Sequence, residues 1–339
     1  MKKELVIISN ESICKKDYSF YCDNIDGKSI PEGLSENFNV LMIGRRSRVQ
    51  RSHKINLKKI IAASNILTFL YTIFKSFKKN ENKYFLISIT PYTFFAYIFL
   101  FICGKKPHVY LRSNGYEEYK CKFGFIGLII YHIMFIIVSR KANLIVCRTH
   151  LLRGKHGHIV SPSQLSEKWF TLYQNPYLKK ISLLYVGRIK IEKGIFSLLK
   201  IFKKLNIDAN LTIITNGYNF EKNKINQKNV KILNFDNEND SIINEYDKHN
   251  IFILPSFTES HPQVLDEALS RKRPVIIFDE IKHVLQERKG VFISKRNSVS
   301  LLETINFIIK NYLTIQKDIE KNYLPTKKKF ISELVNILS

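Results

Sequence analysis

The chain has 339 residues, with 54 lysines and arginines against 29 aspartates and glutamates, a formal net charge of +25. That length is a prior for two domains of about 150 residues, and an apolar fraction of 45% excludes a disordered basic tail. The charge asks for a polyanionic partner, either nucleic acid, an acidic membrane surface or phosphorylated substrates; most of it is lysine in a chain crowded with Ile, Asn, Phe and Tyr, so AT-rich codon drift explains part of the diffuse excess.

In chain order, MKKELVIIS carries an apolar run too short for a signal peptide, and Leu5–Ser9 reads as a first strand. Phe38–Ile43, Tyr84–Ile89, Val109–Arg112 and Leu144–Cys147 continue the series, followed by Ile181–Val186, Leu211–Thr215, Val230–Leu233, Ile251–Pro255 and Pro274–Phe278. These unbroken Val/Ile/Leu runs suit parallel strands covered on both faces. Their alternation with helical stretches predicts an α/β protein of βαβ units.

After the second run, GRRSRVQRSHKINLKK gathers Arg45, Arg46, Arg48, Arg51, Lys54, Lys58 and Lys59 beside Ile60–Phe77, an apolar stretch of helical pattern. That combination suits an acidic membrane surface, worth about 1 kcal/mol per cation; a solvated basic loop is the plain alternative. Tyr84–Cys103 lacks charge and is long enough to span a bilayer, but Thr90–Pro91 in its interior favours a strand, a turn and a helix opened by proline. Arg112-Ser113-Asn114-Gly115-Tyr116-Glu117-Glu118 follows the next strand, which makes Arg112 and Asn114 candidate acceptor contacts, against an ordinary Asn-Gly turn. Ser161–Ser163 is an alternative acceptor or hinge element. Cys14, Cys22, Cys103, Cys121 and Cys147 contain no CxxC pair, which fits a reduced cytosolic protein better than a disulfide framework or a zinc site. Tyr173–Lys180 (YQNPYLKK) reads as the linker, giving domains 1–178 and 179–309 and a helical tail 310–339.

In the second half, YVGRIKIEKG ends a strand and opens a helix near Ile195, whose apolar face is Ile195, Leu198, Leu199, Phe202 and Leu205. Arg188 and Lys193 fall at the carboxyl end of that strand, where open α/β sheets bind ligands. A forked guanidinium, an ammonium and a helix N-terminus make a diphosphate cradle; alone, the loop also fits two solvated cations. In LPSFTESHPQVLDEAL, Glu259 lies on a loop and Glu267 on the helix beginning near Pro262. One carboxylate can accept ribose hydroxyls and the other sugar hydroxyls, while the segment Ser260, His261, Pro262 and Gln263 could hold a diphosphate through its backbone N–H groups, of which Pro262 has none. Each glutamate alone could complement the helix dipole, and His261 could be a packed or capping imidazole. DNEND at 236–240 reads as a solvated turn rather than a metal site.

Together YVGRIKIEKG and LPSFTESHPQVLDEAL resemble the nucleotide-sugar half of retaining glycosyltransferases of family 4, which have the GT-B fold. The resemblance covers residues 181–280 specifically and the first half in layout only. It implies two Rossmann-like domains facing across a crevice, with the last helix crossing back to the first. It implies that Arg188 and Lys193 bind the donor diphosphate and stabilise the leaving group, Glu267 binds ribose, and Glu259 faces the donor sugar. Asn216 and Gly217 would form the turn near the nucleotide, with Asn234 and Phe235 near the base. Ser260 and His261 stand where the family often has Gly and Phe.

The implied activity is a retaining hexosyl transfer from a UDP- or GDP-linked sugar, with no essential metal or other cofactor. The departing diphosphate would take the acceptor proton. The expected acceptor is a polyprenyl-diphosphate-linked glycan at the cytoplasmic face of an anionic inner membrane, in bacterial lipopolysaccharide O-antigen or capsule synthesis. The alternatives are an inactive GT-B membrane scaffold, opposed by the joint presence of Arg188, Lys193, Glu259 and Glu267, and a nucleic-acid-binding protein, opposed by the lack of RNP, zinc-finger or helix-turn-helix patterns.

Overall fold

The computed structural model describes residues 2–78, 82–176, 178–215, 227–234 and 239–339. The chain divides into two compact units, Met1–Pro162 with Lys328–Ser339, and Ser163–Lys327. Each is Rossmann-like.

Unit 1 has strands β1 (Glu4–Lys16), β2 (Ser19–Cys22), β3 (Asn39–Ser47), β4 (His53–Ile55), β5 (Lys59–Ala63), β6 (Lys83–Ile87), β7 (His108–Leu111), β8 (Asn143–Val146) and β9 (Gly157–Ile159). Its helices are α1 (Ile25–Leu34), α2 (Ile66–Lys75), α3 (Pro91–Ile102) and α4 (Gly115–Ser139). The parallel strands run β5-β3-β1-β6-β7-β8-β9, so the order reverses between β1 and β6. The antiparallel pair β2 and β4 hangs from the far end of β1. Successive residues point to opposite faces, and both faces are buried. Leu5, Ile7, Phe85, Ile87, Tyr110 and Ile145 pack under Phe330, Leu334 and Leu338 of the C-terminal helix. Val6, Ile8, Leu86, Val109 and Leu144 meet Phe69, Ile73, Ala96, Tyr97, Tyr131 and Phe135 of α2–α4. This two-sided burial is why the strands read as unbroken apolar runs.

Unit 2 has β10 (Ile181–Val186), β11 (Ala209–Thr215), β12 (Val230–Asn234), β13 (Ile251–Leu254), β14 (Val275–Phe278) and β15 (Val291–Ser294), with α5 (Ile195–Phe202), α6 (Asn239–Lys248), α7 (Gln263–Ser270), α8 (Ser298–Lys310) and α9 (Tyr312–Ile319). All its strand pairs are parallel, in the order β12-β11-β10-β13-β14-β15, and the reversal lies between β10 and β13.

The structure differs from the sequence reading at four places. The units part at 162/163, within Ser161–Ser163, not at 178/179. The stretch just ahead of the presumed linker, and Gln174 within it, are stitched to unit 2 by two buried arginines. Arg271 donates to both carboxylate oxygens of Asp247 (2.9 and 2.6 Å) and to the carbonyls of Trp169, Thr171 and Leu172. Arg273 donates to the carbonyls of Tyr246, Asp247 and Gln174. The tail also splits: α9 buries Tyr312, Ile315 and Ile319 in unit 2's core, and only Lys328–Ser339 belongs to unit 1.

The remaining two differences lie in the basic region. Arg45 and Arg46 do not follow a strand end, because β1 is long enough for β3 to stay paired through Ser47. The segment Lys59–Ala63 is a strand on β3, not the start of a helix; the Asn65–Thr68 capping box starts α2 only at Ile66. By contrast, the apolar stretch 84–103 divides where Thr90-Pro91 requires, with β6 buried in the sheet and Thr90 capping α3.

Candidate functional site

The reversal between β10 and β13 parts two neighbouring strand ends and leaves a crevice at their carboxyl edge. The loops after these strands carry the candidate donor residues, and three contacts lock them together. The Phe257 N–H donates to the Glu192 carbonyl (3.0 Å). Gly194 has φ +67°, and a β-carbon there would lie 1.8 Å from the Pro255 carbonyl oxygen. Only glycine fits this left-handed, closely packed position. The Lys193 ammonium donates to Glu259 Oε1 at 2.6 Å, and the Ser256 hydroxyl donates to the same oxygen at 2.7 Å. Oε2 makes no hydrogen bond among the described residues. The pair is largely buried, with side-chain exposures of 23% and 11%, so its charges are held in place rather than freely hydrated.

Arg188 is exposed on the first loop, and its carbonyl accepts a 2.9 Å bond from the buried Tyr185 hydroxyl. Glu267 lies within α7, where its Oε2 accepts from the Tyr246 hydroxyl at 2.8 Å. Burial raises its carboxyl to about 7, opposed by that hydrogen bond and assisted by neighbouring Asp266. A carboxyl poised there accepts when ionised and donates when protonated.

The other predicted residues separate. Pro262 is the buried N-cap of α7, and Gln263 is its first residue, with Ser260 partly buried ahead of them. His261 is packed rather than open. Its Nε2 lies 3.6 Å from Asp266, which accepts from Arg288 at 2.8 and 3.1 Å. Asn234 ends the edge strand β12, two strands from β10. Asn216, Gly217 and Phe235 lie outside the described residues.

Sequence reasoning missed several supports: Ser256, Tyr246, Asp266 and Arg296. Arg296 donates to Glu280 (2.7 and 3.1 Å) and to the Ser256 carbonyl, and stacks on Phe257 and Phe278. Of these, Ser256 alone carried a local signal, as part of the Pro-Ser strand end. Among the described residues no group of three or more His, Cys, Asp or Glu side chains converges to hold a metal ion.

Residues 173–324 match the family model described as Glycosyl transferases group 1. Unit 2 carries a glycosyl transferases group 1 domain. Two curated relatives, each described as an uncharacterized glycosyltransferase, come from Haemophilus influenzae and Methanocaldococcus jannaschii. They are 27% and 28% identical over 144 and 218 residues, covering 40% and 57% of this chain. The alignments span 41% and 53% of the relatives' own lengths. Anabaena HepE, solved with UDP and glucose, superposes with a TM-score of 0.70 at 12% identity over 98% of each chain. WaaG, a glycosyltransferase involved in lipopolysaccharide biosynthesis, gives 0.65 at 10% over 98% of this chain and 99% of its own. These likenesses establish the GT-B fold. The glycosyl transferases group 1 domain contains Arg188, Lys193, Glu259 and Glu267.

Unit 1 holds the candidate acceptor residues. Arg112 Nη1 lies 3.4 Å from Asp26 Oδ2, and the Arg112 carbonyl accepts from Cys147 Sγ. Arg112 lines a cleft of about 230 Å³ with Asn10, Ser88, Thr90, Ser113 and Tyr131. Asn114 lines a neighbouring cleft of about 220 Å³ with His150 and Arg153. The basic cluster divides. Arg45 donates to the Asn10 carbonyl and Ser12, and Arg51 bonds Ser47 and Asp23, so both are tied into unit 1. Arg46, Arg48, Lys54, Lys58 and Lys59 are exposed.

Proposed function

We propose that the protein is a retaining glycosyltransferase that transfers a hexosyl group from a UDP- or GDP-sugar to a hydroxyl of a polyprenyl-diphosphate-linked glycan. The observation that carries this reading is the Lys193–Glu259–Ser256 cluster at the β10/β13 reversal, with Arg188 on the same loop as Lys193. As the anomeric carbon–oxygen bond breaks, negative charge grows on the leaving diphosphate. Arg188, Lys193 and the N-termini of α5 and α7 would stabilise it where it develops. Glu259, anchored through Oε1, would offer Oε2 to the donor sugar. Glu267 would bind the ribose. The departing diphosphate would accept the proton of the attacking hydroxyl, so that attack and departure share one face and the configuration is retained. The cations stand where a metal would otherwise neutralise the diphosphate, and no essential metal is invoked.

Arg112 and Asn114 are assigned to the acceptor. The exposed part of the basic cluster, Arg46, Arg48, Lys54, Lys58 and Lys59, is assigned to an anionic membrane surface, and on this reading the protein would act peripherally on the cytoplasmic face of the inner membrane. The lipopolysaccharide role printed for WaaG supports a place in O-antigen or capsule synthesis. The UDP and glucose bound to HepE support a UDP-hexose donor.

A thermal-shift panel of nucleotides tests the donor half. UDP or GDP should raise the melting temperature, and Arg188→Ala should lose that rise. No response to any nucleotide refutes the reading, and tight salt-sensitive DNA binding would replace it with the nucleic-acid alternative.

A further inference from the structure

Helix α4 is long and apolar enough by composition to cross a membrane, but its geometry forbids a straight span. Gly124 breaks it with φ 62° and ψ −144°. In a straight helix Tyr119 and Gly127 would be about 12 Å apart along the axis, and Gly115 and Tyr131 about 24 Å. Instead, a β-carbon on Gly127 would lie 2.1 Å from the Tyr119 carbonyl oxygen, and one on Gly115 would lie 2.0 Å from the Tyr131 ring. Thus α4 is a hairpin, closed by Tyr116 and Tyr119 against Tyr131. Its second arm, 125–139, is about 22 Å long, short of the roughly 30 Å hydrocarbon core.

Apart from the exposed His132, whose Nδ1 meets the Tyr116 hydroxyl at 2.9 Å, that arm is apolar on both sides. Gly127, Tyr131, Met134, Phe135 and Val138 face inward. The outer side exposes Phe125 (74%), Ile126 (68%), Ile129, Ile130 and Ile133, joined at the bend by Phe123. A helix on a water-facing surface carries polar residues there, and an apolar patch of this kind marks an interaction site. Exposed cations flank it: Lys120 and Lys122 before the bend, Arg140 and Lys141 after the second arm. The acidic groups nearby are Glu117 and Glu118, the latter 3.9 Å from Lys122. Basic residues at both ends of an apolar wedge match anionic headgroups above an acyl layer. A second copy fits poorly, because each chain carries +25 and like charges repel.

We propose that the hairpin 115–139 is a membrane wedge whose tip, Phe123–Ile126, dips into the headgroup–acyl boundary of an anionic bilayer without crossing it. This rests on the membrane-surface part of the proposed function and deepens it by moving the insertion point from the arginine cluster to α4. The wedge also walls the cleft lined by Arg112, Tyr119, Phe123 and Tyr131, which would bring that cleft to the level of a lipid headgroup.

The test needs no nucleotide sugar. Co-sedimentation with phosphatidylcholine–phosphatidylglycerol vesicles should show binding, and Phe125→Glu with Ile126→Glu should weaken it at least tenfold while far-UV circular dichroism and melting stay unchanged. A Phe125→Trp variant should be quenched by brominated acyl chains, with Trp169, buried in unit 2, as the unquenched reference. Unchanged binding by the glutamate pair overturns the wedge. If Arg46→Glu with Arg48→Glu abolishes binding while the hairpin pair does not, the arginine surface stands and the wedge falls. A wild-type dimer that the glutamate pair dissociates would overturn it in favour of a second copy. Nucleotide shifts measured on the same variants report the donor site separately.

Discussion

The two units share one strand logic and differ at the place where that logic opens a crevice. In unit 2 the reversal between β10 and β13 is closed by a glycine against a carbonyl, an ion pair and a loop-to-loop backbone bond. In unit 1 the reversal lies between β1 and β6; β1 shifts register against β3 between Ile8 and Ser12, and the nearby cleft is lined by Asn10, Ser88, Thr90 and Ser113. One end locks its two loops together through a buried ion pair, and the other sets amide and hydroxyl groups beside the charged Arg112, Glu118 and Lys122. Fold topology decides where a ligand can sit, while the loop residues decide what it is.

Arginine makes the first test of that contrast. Arg271→Ala should cost about 3–5 kcal/mol, because it leaves the buried Asp247 carboxylate without its bidentate partner. Arg46→Ala, on the exposed surface of unit 1, should stay within about 0.5 kcal/mol. Urea unfolding checks both, and similar costs would erase the distinction.

Glycine gives the next largest difference. Gly194→Ala combines positive φ with a 1.8 Å clash against backbone and should cost about 3 kcal/mol, together with loss of any nucleotide-induced shift. Gly154→Ala also has positive φ but open space around it, so it should cost only about 1 kcal/mol.

Two buried groups, Glu267 in unit 2 and His108 in unit 1, should also respond oppositely to pH. Glu267, raised to about 7, binds more protons folded than unfolded, so its contribution is complete below about pH 4.5 and is lost as pH rises toward 7. His108 is lowered to about 4 by burial and by Lys83, His158 and Lys106. Its contribution is present above about pH 6.5 and is lost as pH falls toward 4. Each slope is at most about 1.4 kcal/mol per pH unit. Glu267→Gln should remove the fall with rising pH, and His108→Gln the fall with acidification. Melting curves between pH 4.5 and 6.5 on both variants would show whether the signs are as stated.

The smallest stability effect concerns the loop after β10. Lys193→Ala should lower turnover by about 10²–10³ as a lost leaving-group contact, with a melting change much smaller than that of Arg271→Ala. A fall in stability without a fall in turnover would make the Lys193–Glu259 pair a structural brace only.

The parallel strands and the loops that follow β10 and β13 were legible because their signals are local. Two-sided burial writes Ile-Leu-Val runs, and Gly187-Arg188, Lys193-Gly194, Pro255-Ser256 and Glu259 mark strand ends by residue type. The antiparallel strands β2 and β4 and the edge strand β5 were not legible: SFYC, HKI and KIIAA are too short to carry a period, and each exists because a neighbour offers an edge. Nor was the unit boundary, since Arg271 and Arg273 claim carbonyls about a hundred residues back along the chain.

The sequence by itself determined the α/β alternation, the loops after β10 and β13 that carry Arg188, Lys193 and Glu259, and the split of the 84–103 stretch at Thr90-Pro91. Only the tertiary structure decided that Glu259 is pinned by Lys193 and Ser256, that Glu267 is held near neutrality beside Tyr246 and Asp266, and that α4 folds back at Gly124. The reason is physical. Backbone preference and burial pattern act over a few residues, whereas ion pairing, desolvation and close backbone approach depend on groups brought together from distant positions in the chain.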